Sequence, residues 1–151
     1  MFQRILCPID KSELTMKSVE AALSLADRFG SEVHLLHILP QAASLEHGEA
    51  EADLDAIEVE TKRILAAGLS RLAVGHEVDV DNVKSEVRAG PVVQVIVEAA
   101  EELMVDVIVM GTHGRHRMTE MFTGSTAEQV VAKTSASVLV VKPEGFPFLR
   151  E

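Results

Sequence analysis

Two rhythms of apolar and polar residues alternate along this chain, and they predict its elements. Arg4 to Ile9 is a short apolar run, after which Val19, Ala22, Leu23, Ala26 and Phe29 recur at helical spacing until Gly30 stops the pattern. Val33 to Leu39 is a second apolar run closed by Pro40. From about Ala50 to Leu72 the residues Leu54, Ile57, Ile64, Leu65 and Leu72 return at helical intervals. Val83 to Val87 alternates as a strand does, Gly90-Pro91 is a break with proline at the first helical position, and Val92 to Leu103 reads as a third helix. Asp106 to Met110 and Val138 to Val141 are β-branched runs, with a helix predicted between them from about Gly124 to Lys133.

Strands and helices therefore alternate, β-α-β-α-β-α-β-α-β. That order specifies an α/β fold: a five-stranded parallel sheet with helices on both faces, of the Rossmann-like kind. Burial from two sides accounts for the unbroken apolar runs Val107-Ile108-Val109 and Val138-Leu139-Val140-Val141. Open sheets of this type take ligands beyond the carboxyl ends of their strands, where the strand order reverses. Asp10, Ile38 to Pro40, Ala89-Gly90, Gly111 onward and Lys142 are thus the places to search.

A length of 151 residues suits one domain, expected to span residues 1–151. A hydrophobic share of 47% and a charged share of 25% are those of an ordinary folded protein. The formal charge of −10 argues against nucleic acid as a partner, since such binding needs cations to displace counterions. No Trp, no Tyr and only five Phe leave few platforms for stacking single-stranded bases. A single cysteine forms no internal disulfide and no secretory pattern opens the chain, so the expected compartment is the cytoplasm. Apolar stretches are broken by Gln94, Glu98 or Asp106 well short of the ~18 residues of a membrane span. Cys7 reads as a small buried hydrophobe. The acidic run from Glu46 to Glu60 reads as a solvated face whose acids lie toward a helix start, as the helix dipole favours.

The chemistry concentrates after Met110. Gly111-Thr112-His113-Gly114 is followed by nine residues and then by Gly124-Ser125-Thr126, which opens a helix. Glycines permit positive φ and close approach of the backbone to a ligand, and a helix start offers unpaired N–H groups to an anion. Ser125 and Thr126 add hydroxyls. Arg115 and Arg117 put cations into one loop of an acidic protein, placed to reach phosphate oxygens. Neither a Walker pattern nor a Gly-x-Gly-x-x-Gly fingerprint occurs.

The segment Gly111 to Thr126 resembles the nucleotide motif of the universal stress protein family, Gly-x2-Gly-x9-Gly-Ser/Thr, complete at its defining positions. The likeness extends through Ile5 to Asp10, His37-Ile38, Asp106 to Gly111 and Ser137 to Val141, with Gln41 to Asn82 unspecific. It implies an adenine-nucleotide alpha hydrolase-like fold and ATP as the ligand, with Mg2+ as an optional companion. Residues matching Asp10 and Ile38 would meet ribose and adenine; those matching Gly111, Gly114, Gly124, Ser125 and Thr126 would surround ribose and phosphates. Pro8, Met110, Arg115 and Arg117 complete the expected site. Arg117 departs from the small residue common at that place. The resemblance further implies a regulatory stress-response protein with an unidentified protein partner, and a homodimer or higher oligomer built through Val138 to Val141.

His113 and His116 lack further ligands for a metal site, and His34 and His37 lie on opposite faces of a strand, so no metal is expected. Asp10, Thr112 and Lys142 also resemble a phospho-acceptor receiver domain, but Val87-Arg88-Ala89 offers no aspartate at the third strand's end. No nucleophile with a positioned base is evident, so catalysis is expected to be at most slow ATP hydrolysis or phosphate transfer onto Ser125.

Overall fold

A computed structural model of the chain describes residues 1–10, 14–39, 49–72, 76–112 and 126–142. Its elements are β1 (Arg4–Ile9), α1 (Leu14–Phe29), β2 (Glu32–Leu39), α2 (Glu49–Ser70), β3 (Val83–Ala89), α3 (Val92–Glu102), β4 (Val107–Gly111), α4 (Thr126–Lys133) and β5 (Ser137–Val141). The five strands form one parallel sheet in the order β3-β2-β1-β4-β5.

That order follows from chain direction and handedness. Parallel crossovers are right-handed, so the outward walk β1 to β2 to β3 lays α1 and α2 on one face; the reversal to β4 and β5 lays α3 and α4 on the other. Two cores result. Ile5, Cys7 and Ile9 of β1 join Val33, Leu35, Val107 and Val109 beneath Val19, Ala22, Leu23 and Ala26 of α1 and Ile64 of α2. On the opposite face Leu6, Leu36, Ile108 and Met110 pack under Val95, Ile96, Ala99 and Ala100 of α3 and Ala127 and Val130 of α4. Alternate residues of each strand supply alternate faces, so the central strands must be apolar throughout.

Helices α1 and α2 meet closely at Gly68, where a Cβ would stand 2.9 Å from both Val19 Cγ1 and Leu23 Cδ1. Before this crossing, residues 54–59 of α2 are exposed or half buried. Leu54 is exposed, against its expected place on the packed face. Phe29 is also half exposed and meets Phe2 edge to face at 5.5 Å between ring centres. Gly30, at φ +65°, turns the chain out of α1, and its N–H donates to Ala26 O. Pro91 caps α3 from just outside and is not its first residue.

At the amino ends of the strands, Asp106 ties β4 to β1. Its Oδ2 accepts the N–H groups of Gln3 at 2.7 Å and Arg4 at 2.9 Å, and the Arg4 and Gln3 amides hold the carboxyl below the usual range.

Candidate functional site

The strand order reverses between β1 and β4, which makes the gap between their carboxyl ends the switch point. β1 stays paired with β2 as far as Ile9↔His37, yet its pairing with β4 is confined to Ile5↔Val107 and Leu6↔Ile108. Two residues after Leu6 comes Pro8, which has no N–H for a ladder. Beyond that point β1 and β4 run on without ladder bonds, while β4 remains paired with β5 up to Gly111↔Val141. Open α/β sheets take ligands in a crevice at such a switch point, and here the central strand carries a proline beside it. Counting along the strands sets Pro8 level with Leu36 and Met110, and Asp10 level with Ile38 and Thr112.

The start of α1 draws this crevice together. Thr15 is buried, and its hydroxyl accepts the N–H of Asp10 at 3.0 Å. The hydroxyl proton has two acceptors at 2.8 Å, Asp10 O and Asp10 Oδ1. Leu14, the preceding residue, lies against Gly111: a Cβ there would come within 3.0 Å of Leu14 Cβ and 3.2 Å of Cδ1. Gly111 is not in the positive-φ region, which among the described glycines is confined to Gly30 and Gly90. The expectation of positive φ is thus corrected at Gly111, where the packing of α1 on the strand end excludes a side chain.

Thr112 continues β4, and its N–H donates to Val141 O at 3.1 Å. Its hydroxyl oxygen is buried without a hydrogen-bond partner. An orphaned hydroxyl costs free energy until an acceptor or donor reaches it, and it sits beside the glycine that begins the motif. Gly90, at φ +141°, turns the chain from β3 to α3, and its N–H donates to Leu39 O at 3.0 Å. Ile38 lies at the edge of the core under α3, half buried.

Pro8, Asp10, Ile38, Met110 and Gly111 are thereby gathered at one end of the sheet, on three neighbouring strands. Thr126 begins the described part of α4 and is half buried. Gly114, Arg115, Arg117, Gly124 and Ser125 lie outside the described residues, as do His113 and His116. The sequence reading did not single out Thr15 or Leu14; the signal available was a threonine five residues after the strand-end aspartate, at a helix start. Cys7 is fully buried and its thiol is pushed up to about 12 by burial, as befits a core residue. His34 is buried against Glu32, at 2.6 Å. Among the described residues no helix is long and apolar enough to cross a membrane.

The strand order separates the two resemblances noted above. A receiver-type sheet runs 2-1-3-4-5, with the third strand beside the first. Here β4 neighbours β1 and β3 is an outer strand. The structure is that of a doubly wound α/β protein whose crevice lies between its first and fourth strands. A profile of the Universal stress protein family matches residues 1–142, and the chain belongs to that family. Universal stress protein G of Salmonella typhimurium is 35% identical over 145 residues, covering 94% of this chain and 100% of the relative. The solved structure of MJ0577 from Methanocaldococcus jannaschii superposes with a TM-score of 0.71 at 30% identity, covering 95% of this chain and 98% of that one. A universal stress protein solved in complex with cAMP shares the fold at a TM-score of 0.68 and 20% identity, over 93% and 97% of the two chains.

Proposed function

We propose that the chain is an ATP-binding regulatory protein, and that its work is binding and not turnover. Adenine lies near Ile38, the ribose near Asp10 and Pro8, and the phosphates run from Met110-Gly111 past Gly114, Arg115 and Arg117 to Gly124, Ser125 and Thr126. The observation that carries this reading is the convergence at the switch point: the glycine that opens the motif and the strand-end aspartate are both held by consecutive residues, Leu14 and Thr15. Chemistry sets the orientation. An acceptor-only carboxylate repels phosphate and suits sugar hydroxyls, so Asp10 marks the ribose end. Main-chain amides at the start of α4 and the two guanidinium groups suit the phosphate end. The orphaned Thr112 hydroxyl fits a polar ligand there. Mg2+, when bound with the nucleotide, would screen charge between phosphate oxygens. The universal stress protein solved in complex with cAMP supports an adenine nucleotide as the ligand.

The proposal includes a homodimer through β5 and a protein partner, in the cytoplasm, that senses the loop between Gly114 and Gly124. Among the described residues β5 lies at the edge of the sheet and Leu139 on it is 41% exposed, which leaves the outer side of an apolar strand to cover. The reading is tested by calorimetry of ATP on the parent and on Gly124→Val, whose side chain would occupy the phosphate path. Binding by the parent and loss of at least about tenfold affinity in the variant are expected. Undiminished affinity in Gly124→Val would overturn the placement of the phosphates.

A further inference from the structure

We propose that Thr15 is the positioning residue for the sugar end of the site, aiming the Asp10 carboxylate so that the protein distinguishes ribose from deoxyribose. The proposal rests on the nucleotide reading above and assigns a task that the motif itself does not contain. Three polar groups of Asp10 converge on one oxygen: the N–H at 3.0 Å, the C=O at 2.8 Å and Oδ1 at 2.8 Å from Thr15 Oγ1. Stitching α1 to the end of β1 would need only the two main-chain bonds. The third contact is a surplus that reaches the side chain. It restricts the rotation of the carboxylate about its terminal bond, a torsion that is otherwise broad.

The geometry is protected. Thr15 is 5% exposed, so water does not compete for its hydroxyl, and its β-methyl restricts the rotamer from which the hydroxyl reaches back. A carboxylate held at Oδ1 presents its remaining lone pairs in a fixed direction. Recognition of a hydroxyl by a polar group held in place, as the half-buried Asp10 carboxylate is by Thr15, is where discrimination against an analogue lacking that hydroxyl arises. If Asp10 were loosely held, it would follow the ligand and the penalty for the missing hydroxyl would fall.

The test titrates ATP, 2′-deoxyATP, 3′-deoxyATP and AMP into the parent, Thr15→Val, Thr15→Ser and Asp10→Ala, with folding checked by thermal melts. The parent is expected to prefer ATP over at least one deoxy analogue by about tenfold, the worth of one charge-assisted hydrogen bond. Thr15→Val, which keeps the shape and loses the hydroxyl, is expected to reduce that ratio to about twofold or less, and Thr15→Ser to keep it. The ratio of ATP to AMP affinity should not move in either variant, which a general loosening of the site would not spare. A folded Thr15→Val with the parent's ribose preference would overturn this proposal alone. Should that variant not fold, Thr15→Ala is read in its place; failure of both to fold also counts against the proposal, because aiming one carboxylate is not a task the core requires. An Asp10→Ala protein with the parent's preference would remove Asp10 from the ribose and Thr15 with it. A parent that binds none of the four nucleotides refutes the nucleotide reading itself.

Discussion

Gly111→Ala separates two reasons for a glycine at the end of β4. If the residue serves only the ligand, the ligand-free protein should tolerate a methyl group. The structure predicts otherwise, because that methyl would stand 3.0 Å from Leu14 Cβ and 3.2 Å from Leu14 Cδ1. The Cδ1 contact can be relieved by a rotation, but Cβ is fixed to the backbone and moves only with the start of α1. Leu14 is 9% exposed and so is hemmed in by its other neighbours. Overpacking of this kind costs about 1–3 kcal/mol. Replacing glycine within a strand offsets about 0.5–1 kcal/mol through the unfolded chain. The net expectation is a loss of about 1 kcal/mol, or roughly 2–4 °C in Tm for a chain of this size, with no nucleotide present. Calorimetry of the ligand-free protein supplies the measurement. Leu14→Ala removes Cγ and Cδ1 but keeps Cβ, so combining the two should recover part of the loss, with a coupling of about 0.5 kcal/mol or more. A Gly111→Ala protein as stable as its parent would refute the packing argument, and an uncoupled pair would refute Leu14 as its cause.

Asp106 is held low by the Arg4 and Gln3 amides, so between its folded pKa and the ordinary value of 3.8 the native state binds fewer protons than the unfolded one. Its contribution is complete above that window and is lost as the pH falls through it; Asp106→Asn should therefore be less stable at neutral pH but lose less in urea titrations between about pH 5 and 3, and an unchanged acid slope would contradict this. Cys7, fully buried with its thiol pushed up to about 12, should react with an aromatic disulfide reagent at about pH 8 only as the protein unfolds. Labelling at a free-thiol rate without denaturant would show the site to be open. Leu139→Lys should convert the proposed dimer to a folded monomer in light scattering; a monomeric parent, or a lysine variant that stays dimeric, would sink the seam.

Much of this fold was legible because period and position are local properties. The strand from Arg4 to Ile9, the helix stop at Gly30 and the break at Gly90-Pro91 stand within a residue or two of their expected places. The alternation of elements also announced a parallel sheet, and with it the search for ligands at Asp10 and Gly111. Periodicity tells which residues share a face but not which face is covered. Leu54 lies on the apolar stripe of α2, yet it stands before the crossing at Gly68 and is exposed. The reason for Gly111 was hidden for a similar cause: Leu14 is distant in sequence and arrives only when α1 folds back over β4. Thr15 was hidden because a threonine in the first turn of a helix reads as an ordinary helix-start residue. In β5 four apolar residues looked equivalent, whereas Val140 packs into the core under α3 and α4 and Leu139 stays exposed.

The two edges of the sheet differ in a way that bears on assembly. β3, at one edge, directs Lys84, Glu86 and Arg88 to a single face, and all three are committed to ion pairs: Lys84 with Glu32 at 2.6 Å, Arg88 with Glu86 at 3.1 Å and with Glu102 at 2.7 Å. Covering that edge with another strand would desolvate charges, a familiar safeguard against unwanted pairing. β5, at the other edge, has no charged residue between Ser137 and Val141. Two copies joined antiparallel through β5 would form one continuous sheet with a charged β3 at each end, so growth through strand pairing would stop at two. The proposed seam also touches the proposed site. Val141, the last residue of β5, accepts the N–H of Thr112, which directly follows the motif's first glycine. A ligand is sensed elsewhere only where some element differs between its bound and free states. The hydrogen bond from Thr112 to Val141 therefore joins the start of the proposed phosphate loop to the strand of the proposed seam.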